Sequence, residues 1–400
     1  MMRHVPPTAV PVHMRDLWQG LNTLGNPDGA KQDFQKALSD FIGVSHCYLT
    51  SSGRAGLYLI LRSLHRISDR THVIVPAYTC PTVVQAVLKA GLRVSLCDLS
   101  LDTLGLDRDS LAELIDDSVL AIIVVHPFGL PEDMTDLVSL GHREGIIIIE
   151  DAAQSLGARL DDRMVGSLGD FGLFSLGRGK VITTGGGGVV VTSNDVYATA
   201  IQDIMVNEFG LTSKAGLGSL AFLAGYRLAM HPFSWWFLVH TPLNPADGSR
   251  KPPPPFSVGL LSTCQMGVGV SMMAFLDEIN QVRRRNAELL MDTLKELPFV
   301  RFPDLVHNAD PVYLRLPLLV NDKASRENLF QRLHRNGIGV SRMYEYPLVD
   351  IFENQIDQNG EKFPAAEYIS HHLLTLPTHH LLSDQDLKIT IETFYDGLTL

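Results

Sequence analysis

Residues 145–180 read GIIIIEDAAQSLGARLDDRMVGSLGDFGLFSLGRGK. An apolar run ends in the acidic pair Glu150-Asp151, and a loop follows. A second apolar run then ends at Ser175, and the glycine-rich turn after it carries Lys180. Runs of this kind, at 72–75, 93–97, 120–125, 145–149, 171–176 and 188–192, alternate with the amphipathic stretches 81–90, 107–115 and 133–143. Near-continuous Val/Ile/Leu strands separated by helices are what a mostly parallel sheet with helices on both faces requires. Such an α/β sheet places its ligand beyond the carboxyl ends of the strands. The loops 76–80, 126–129, 151–155 and 176–180 are therefore where function is expected.

Outside that region the chain changes character. Residues 311–321 read as a strand, 325–336 as a helix and 339–346 as a strand-like piece. A closing helix begins near Ser383, which stands at capping-box spacing from Asp386. With 400 residues the chain exceeds one typical core. The expectation is a large domain over 1–270 and a smaller C-terminal α/β domain over 271–400, with the boundary at a long amphipathic helix, 272–297.

A net charge of −11, with no block of like charge, argues against a nucleic-acid partner. The four cysteines (Cys47, Cys80, Cys97, Cys264) are widely spaced without a CxxC pair, which suggests neither a disulfide framework nor a zinc site. The N-terminus shows no apolar signal region, so a cytoplasmic location is expected. One segment stands apart, residues 216–256. It holds the apolar clusters 220–226 and 233–239, the second with Trp235 and Trp236, and it ends in four prolines. Arg227 and His231 interrupt it, so it does not read as a membrane span. Two readings stand: a buried helical hairpin or subunit contact, or a flap whose residues 220–239 touch a membrane surface or a lipid-linked substrate.

The loops at the strand ends carry residue types that suit pyridoxal 5′-phosphate (PLP). That cofactor needs a lysine amine for its aldehyde, a carboxylate facing its pyridine nitrogen, and hydroxyl and backbone donors for its phosphate, favourably at a helix N-terminus. Lys180 offers the amine, and one of Glu150 and Asp151 the carboxylate, the bland reading being that the acidic residue only caps the next turn. Ser51-Ser52-Gly53-Arg54 before an apolar-periodic helix is an anion site or an ordinary N-cap.

The ordered set of motifs resembles the DegT/DnrJ/EryC1/StrS family of sugar aminotransferases over nearly the whole chain. The matching pieces are Ser52-Gly53, Pro76-Ala77-Tyr78-Thr79, Ala90-Gly91, Asp98, His126-Pro127-Phe128-Gly129 and Glu150-Asp151-Ala152-Ala153-Gln154. They continue through Gly166-Ser167-Leu168-Gly169-Asp170, Phe174-Ser175, Lys180, Thr183-Thr184-Gly185 and Leu374-Thr375-Leu376-Pro377. The resemblance implies PLP fold type I with a seven-stranded sheet, and it implies roles. Lys180 would carry the cofactor as a Schiff base and then shuttle a proton. Asp151 would pair with the pyridinium nitrogen, and Gln154 would lie near the ring hydroxyl. Ser52, the Gly53 amide and Ser175 would hold the phosphate, and Arg54 would add charge there. It also implies an amino-acid donor (glutamate), a keto-sugar acceptor attached to a nucleotide, and a homodimer.

Departures from the family pattern are specific. Cys80 stands where a ring-stacking aromatic is usual, with Tyr78 as the candidate substitute. Gly186-Gly187 replaces Glu-Gly, and Val258-Gly259-Leu260 replaces the Asn-Tyr-Arg stretch before Ser262-Thr263-Cys264-Gln265. These suggest altered substrate recognition. They also leave open another PLP reaction on a sugar or lipid-linked substrate, or a non-catalytic relative acting as regulator or binding partner.

Overall fold

The computed structural model describes residues 3–210, 215–241, 250–353, 355–356 and 361–396. Its main sheet has seven strands: β1 (His46–Thr50), β2 (His72–Pro76), β3 (Arg93–Cys97), β4 (Val119–Val125), β5 (Ile147–Asp151), β6 (Phe171–Ser175) and β7 (Gly188–Thr192). The spatial order is β1-β7-β6-β5-β4-β2-β3. Strands β6, β5, β4, β2 and β3 are parallel to one another, while β7 runs antiparallel to both β6 and β1.

The alternation along β4 explains why its sequence is apolar throughout. Ala121 and Ile123 enter the core that includes helices Gly53–Ile67 and Pro81–Lys89. Ile122 and Val124 enter the core on the other face, which includes helix Thr135–Glu144. Both faces are buried, so period-two polarity is lost. Each fully buried Ile contributes about 1.5–3 kcal/mol relative to exposure.

The C-terminal region has its own core around an antiparallel three-stranded sheet of β8 (Val300–Arg301), β9 (Leu316–Val320) and β10 (Leu373–Leu376). Helices Leu276–Leu294, Lys323–Arg335 and Asp384–Tyr395 share that core. Ser383 caps the last of them in a capping box with Asp386. Three expectations change here. The helix expected over 272–297 is Leu276–Leu294; Met272 and Met273 instead end the preceding helix, Thr263–Met273, and Phe275 between the two leaves helical geometry (φ −120°, ψ 10°). The strand over 311–321 shortens to Leu316–Val320, because Tyr313 adopts a left-handed φ of 44°. Residues 339–346 make only one isolated bridge, Ser341 to Thr375.

The apolar segment is a helical hairpin, Leu217–Ala229 and Pro232–Val239; residues 242–249 of that segment lie outside the described residues. Leu220, Leu223 and Tyr226 of the first helix enter the core. Only Pro232 of the second is buried. Among the described residues no helix is long and apolar enough to cross a membrane.

Candidate active site

Strand pleat separates the two adjacent carboxylates. Side chains alternate faces along β5, so Glu150 and Asp151 point apart. Glu150 is fully buried, and its carboxylate accepts hydrogen bonds from the amides of Gly166 (2.7 Å), Leu168 (2.6 Å) and Gly169 (2.7 Å). His126 lies 3.1 Å away through Nε2. Because Nδ1 of His126 accepts the Glu132 amide at 2.9 Å, Nε2 carries the proton and donates to Glu150. Glu150 thus organises the 166–169 turn, and Asp151 is left for the cavity.

That cavity, about 180 Å³, lies at the carboxyl ends of the strands. Its walls bring together Ser52, Gly53, Arg54, Asp151, Gln154, Ser175 and Lys180, supplied by three separate stretches of chain. Asp151 Oδ1 accepts the Ala153 amide at 3.0 Å. Burial pushes its pKa up, against the opposing charge of Lys180. Burial lowers the pKa of Lys180, partly offset by Cys80 and Asp151, with Arg315 lowering it further.

Ser52 caps helix Gly53–Ile67 by accepting the Ala55 amide at 3.2 Å. A Cβ on Gly53 would stand 3.3 Å from Ser175 Oγ, so the helix start and the end of β6 close on one small space. A Cβ on Gly188, at the start of β7, would meet Ser52 O at 2.4 Å, which only glycine tolerates. Gln265 ties down the glycine run, donating to the carbonyls of Thr184 (3.1 Å) and Gly186 (2.9 Å).

Other expected residues sit differently. Tyr78 does not line the cavity: it is buried, its hydroxyl accepts the Tyr344 amide, and its ring meets Tyr344 edge-on at 5.7 Å. Cys80 does line it. The Arg54 guanidinium donates to Gln85 Oε1 (3.0 Å) and Pro254 O (3.3 Å), so it also fastens the proline run. Gln154 Oε1 accepts the Phe128 amide at 3.2 Å.

Sequence reading missed two residues. Arg283, buried in helix Leu276–Leu294, reaches the carbonyls of Val181 (3.1 Å), Lys180 (3.5 Å) and Ala9 (3.5 Å) and so fixes the lysine turn. Within Arg283-Arg284-Arg285 it looks like part of a solvated charge run, and only its place on the apolar stripe with Ala287, Leu290 and Leu294 sets it apart. Tyr344 packs beside Cys80 at the same core, and no motif marks it.

The donor set fits PLP. A buried carboxylate and a lysine of depressed pKa share one cavity, and a capped helix start with two serines closes its other side.

The DegT/DnrJ/EryC1/StrS aminotransferase family profile matches residues 21–234 and 257–394. The match breaks over 235–256, the end of the aromatic helix and the proline run. The chain is 30% identical to the L-glutamine:2-deoxy-scyllo-inosose aminotransferase of Micromonospora echinospora over 406 aligned residues, covering 94% of this chain and 89% of that one. The Streptomyces kanamyceticus protein of that name is 29% identical over 272 residues, 68% of this chain, and the alignment spans just 58% of the relative's length. Among solved structures, Helicobacter pylori PseC, an aminotransferase involved in the biosynthesis of pseudoaminic acid, superposes with a TM-score of 0.81 at 18% identity, covering 99% of this chain and all of that one. Through its sequence and its fold, this chain belongs to the DegT/DnrJ/EryC1/StrS aminotransferase family.

Proposed function

We propose that the protein is a PLP-dependent aminotransferase that moves an amino group from an amino acid to a keto-sugar, nucleotide-linked by expectation. The observation that carries the reading is the convergence of Lys180, Asp151, Ser52, Gly53 and Ser175 on one cavity. PLP, when bound, supplies the electron sink for breaking a bond at the carbon that bears the amine. The chain supplies everything else. Ser52, Ser175 and the Gly53 amide hold the phosphate at a helix start, where the macrodipole favours an anion. Asp151 would keep a proton on the ring nitrogen, and Gln154 would be placed toward the ring hydroxyl. Nζ of Lys180, whose burial favours the neutral amine, takes a proton from the reacting carbon and returns one. Glutamate is the expected donor, and glutamine is the donor in the names of the relatives above.

A homodimer belongs to this reading. Met14, Trp18, Leu21 and Leu24 expose an apolar stripe that a second copy would cover. Residues 1–270 and 271–400 serve as the large and small domains. Residues 220–239 would also rest against a lipid surface, a contact supported by the exposure of Phe222, Leu228, Phe233 and Phe237.

The test is spectroscopic. Protein purified with PLP should absorb in the near-visible, glutamate or glutamine should bleach that band, and the matching 2-oxo acid should restore it. Lys180→Ala should abolish the band, and an unchanged spectrum in that variant would refute the site. Binding without bleaching by any amino acid would favour the non-catalytic alternative, for which Cys80 in the cavity wall is the supporting observation.

A further inference from the structure

A cavity of about 550 Å³ shares no wall residue with the one around Lys180. Four stretches of chain close it. Arg3 and His4 come from the N-terminal segment, Trp236 and His240 from the end of the hairpin, and His334 and Arg335 from the end of helix Lys323–Arg335. The start of helix Asp384–Tyr395 completes the wall. His4 is 2% exposed, yet among the described residues its imidazole has no hydrogen-bond partner. Its ring meets that of His334 edge-on, with centroids 4.6 Å apart. Burial, and after it the imidazoles of His334 and His240, lower its pKa to about 4. The ring is therefore neutral at neutral pH, and one nitrogen carries a proton with nothing to receive it. Native structures leave few such groups unexplained.

The charges favour an anion in that place. Asp386 is the one acid on the wall among the described residues, and Arg3 neutralises it through contacts of 3.2 Å and 2.6 Å. Arg335 lines the cavity with no acidic partner among the described residues. No group of His, Cys, Asp or Glu among them could hold a metal ion, so the three imidazoles are not gathered around a cation. Donors arriving from separate elements suit a tetrahedral oxyanion, and a guanidinium matches its oxygens in pairs. A cavity of this size also admits an organic body. Trp236, with the His240 ring 4.6 Å away, offers that body an aromatic surface. We propose that this cavity is a second ligand site, for a phosphate monoester that carries a ring, with Arg335 and His4 taking the phosphate and Trp236 the ring. The site stands apart from the reacting groups and does not rest on the aminotransferase reading. Its ligand would fasten the hairpin, because the His4 amide already donates to the Pro232 carbonyl at 3.0 Å. Two sources share the chemistry, a nucleoside monophosphate and a sugar phosphate.

The experiment is calorimetric titration of protein loaded with PLP and freed of excess cofactor. The probes are uridine monophosphate, glucose 1-phosphate and inorganic phosphate, each repeated on Arg335→Ala, Trp236→Ala and Arg178→Ala. At least one ester should bind about tenfold or more tightly than inorganic phosphate, and Arg335→Ala should weaken it by about tenfold. Trp236→Ala should remove the ester's advantage over inorganic phosphate. Arg178 lies in the turn before Lys180, and its replacement should change binding by less than about threefold. Arg335 is exposed, so its variant should melt within about 2 °C of wild type. Binding of the uridine compound alone assigns a nucleotide, of the glucose compound alone a sugar phosphate, and of both the phosphate monoester as such. Esters no tighter than inorganic phosphate, or binding unchanged in Arg335→Ala, would overturn the proposal. Binding lost in Arg178→Ala and kept in Arg335→Ala would overturn it too, by moving the ligand to the lysine turn. A protein that binds the ester but shows no near-visible cofactor band would count against the aminotransferase reading and leave this site assigned.

Discussion

Glu150→Gln separates the two neighbouring carboxylates by experiment. The wild-type side chain, itself fully buried, accepts four hydrogen bonds, two at Oε1 from Leu168 and Gly169 and two at Oε2 from Gly166 and His126. Glutamine keeps one oxygen and turns an NH₂ toward the other two donors. Two donors lose their acceptor, and at about 1–3 kcal/mol each the loss is roughly 2–6 kcal/mol. Taking ~2 °C per kcal/mol for a chain of this size, the melting temperature falls by about 4–12 °C. Glu150 does not line the cofactor cavity, so the near-visible band of PLP-loaded protein at 20 °C should keep its position. Thermal melts and absorbance spectra of wild type and variant decide the matter. A variant that melts within ~1 °C of wild type yet fails to take up PLP would show that Glu150 acts on the cofactor and that the division of labour drawn from the pleat is wrong.

Asp151→Asn should behave in the opposite way. Burial raises the Asp151 pKa, so between its unfolded and folded values the native state binds the extra proton, and the contribution of this group to stability falls as pH rises through that window. The cofactor-free asparagine variant should therefore melt at or above wild type at pH 7.5 while losing amino-acid bleaching by a factor of a hundred or more, on the order of 3 kcal/mol; a clear drop in melting temperature would contradict this. For Lys180 the depressed pKa means that the folded chain sheds the proton first, so its contribution to stability rises with pH between that lowered value and 10.5. Its modification by an amine-acylating reagent, mapped by peptide mass, should be half-maximal at lower pH than that of exposed Lys36. Arg54→Ala should raise protease cleavage within 250–258, because Arg54 and Gln85 hold Pro253 and Pro254, with PLP affinity changed less than threefold. A tenfold or greater loss would instead place the guanidinium on the phosphate.

The strands that carry the site were legible because burial on both faces leaves no polar interruption, as in Val119–Val125. Their ends drew attention to the pair Glu150-Asp151, to Ser175 and to Lys180 without any three-dimensional information. Strand His46–Thr50 was not legible: HCYLT mixes polar and apolar residues and borders the sheet. Helices Met14–Asn22 and Pro27–Ile42 also went unanticipated, their buried faces being set by packing against Thr263–Met273. The division between Glu150 and Asp151 needs the pleat and the partners at 166–169, which lie on a distant turn. Arg54 shows the limit of motif reading, since a basic residue at a helix start suggests an anion, while the partners that hold it, Gln85 and Pro254, are remote in sequence.

The reversed strand β7 has a consequence for the order in which the walls of the cavity assemble. Ser175 and Lys180 sit on one hairpin-like connection, so they come together by local closure. Ser52 follows β1, which enters the sheet only by pairing with β7, His46 against Thr192. Closing that long loop is an entropically slow event compared with the local one. The strand-end pair Ser175 and Lys180 can therefore exist before Ser52 joins them. On the proposed function, capture of PLP in refolding would then report arrival of the N-terminal strand rather than collapse of the sheet, and would time the last pairing step.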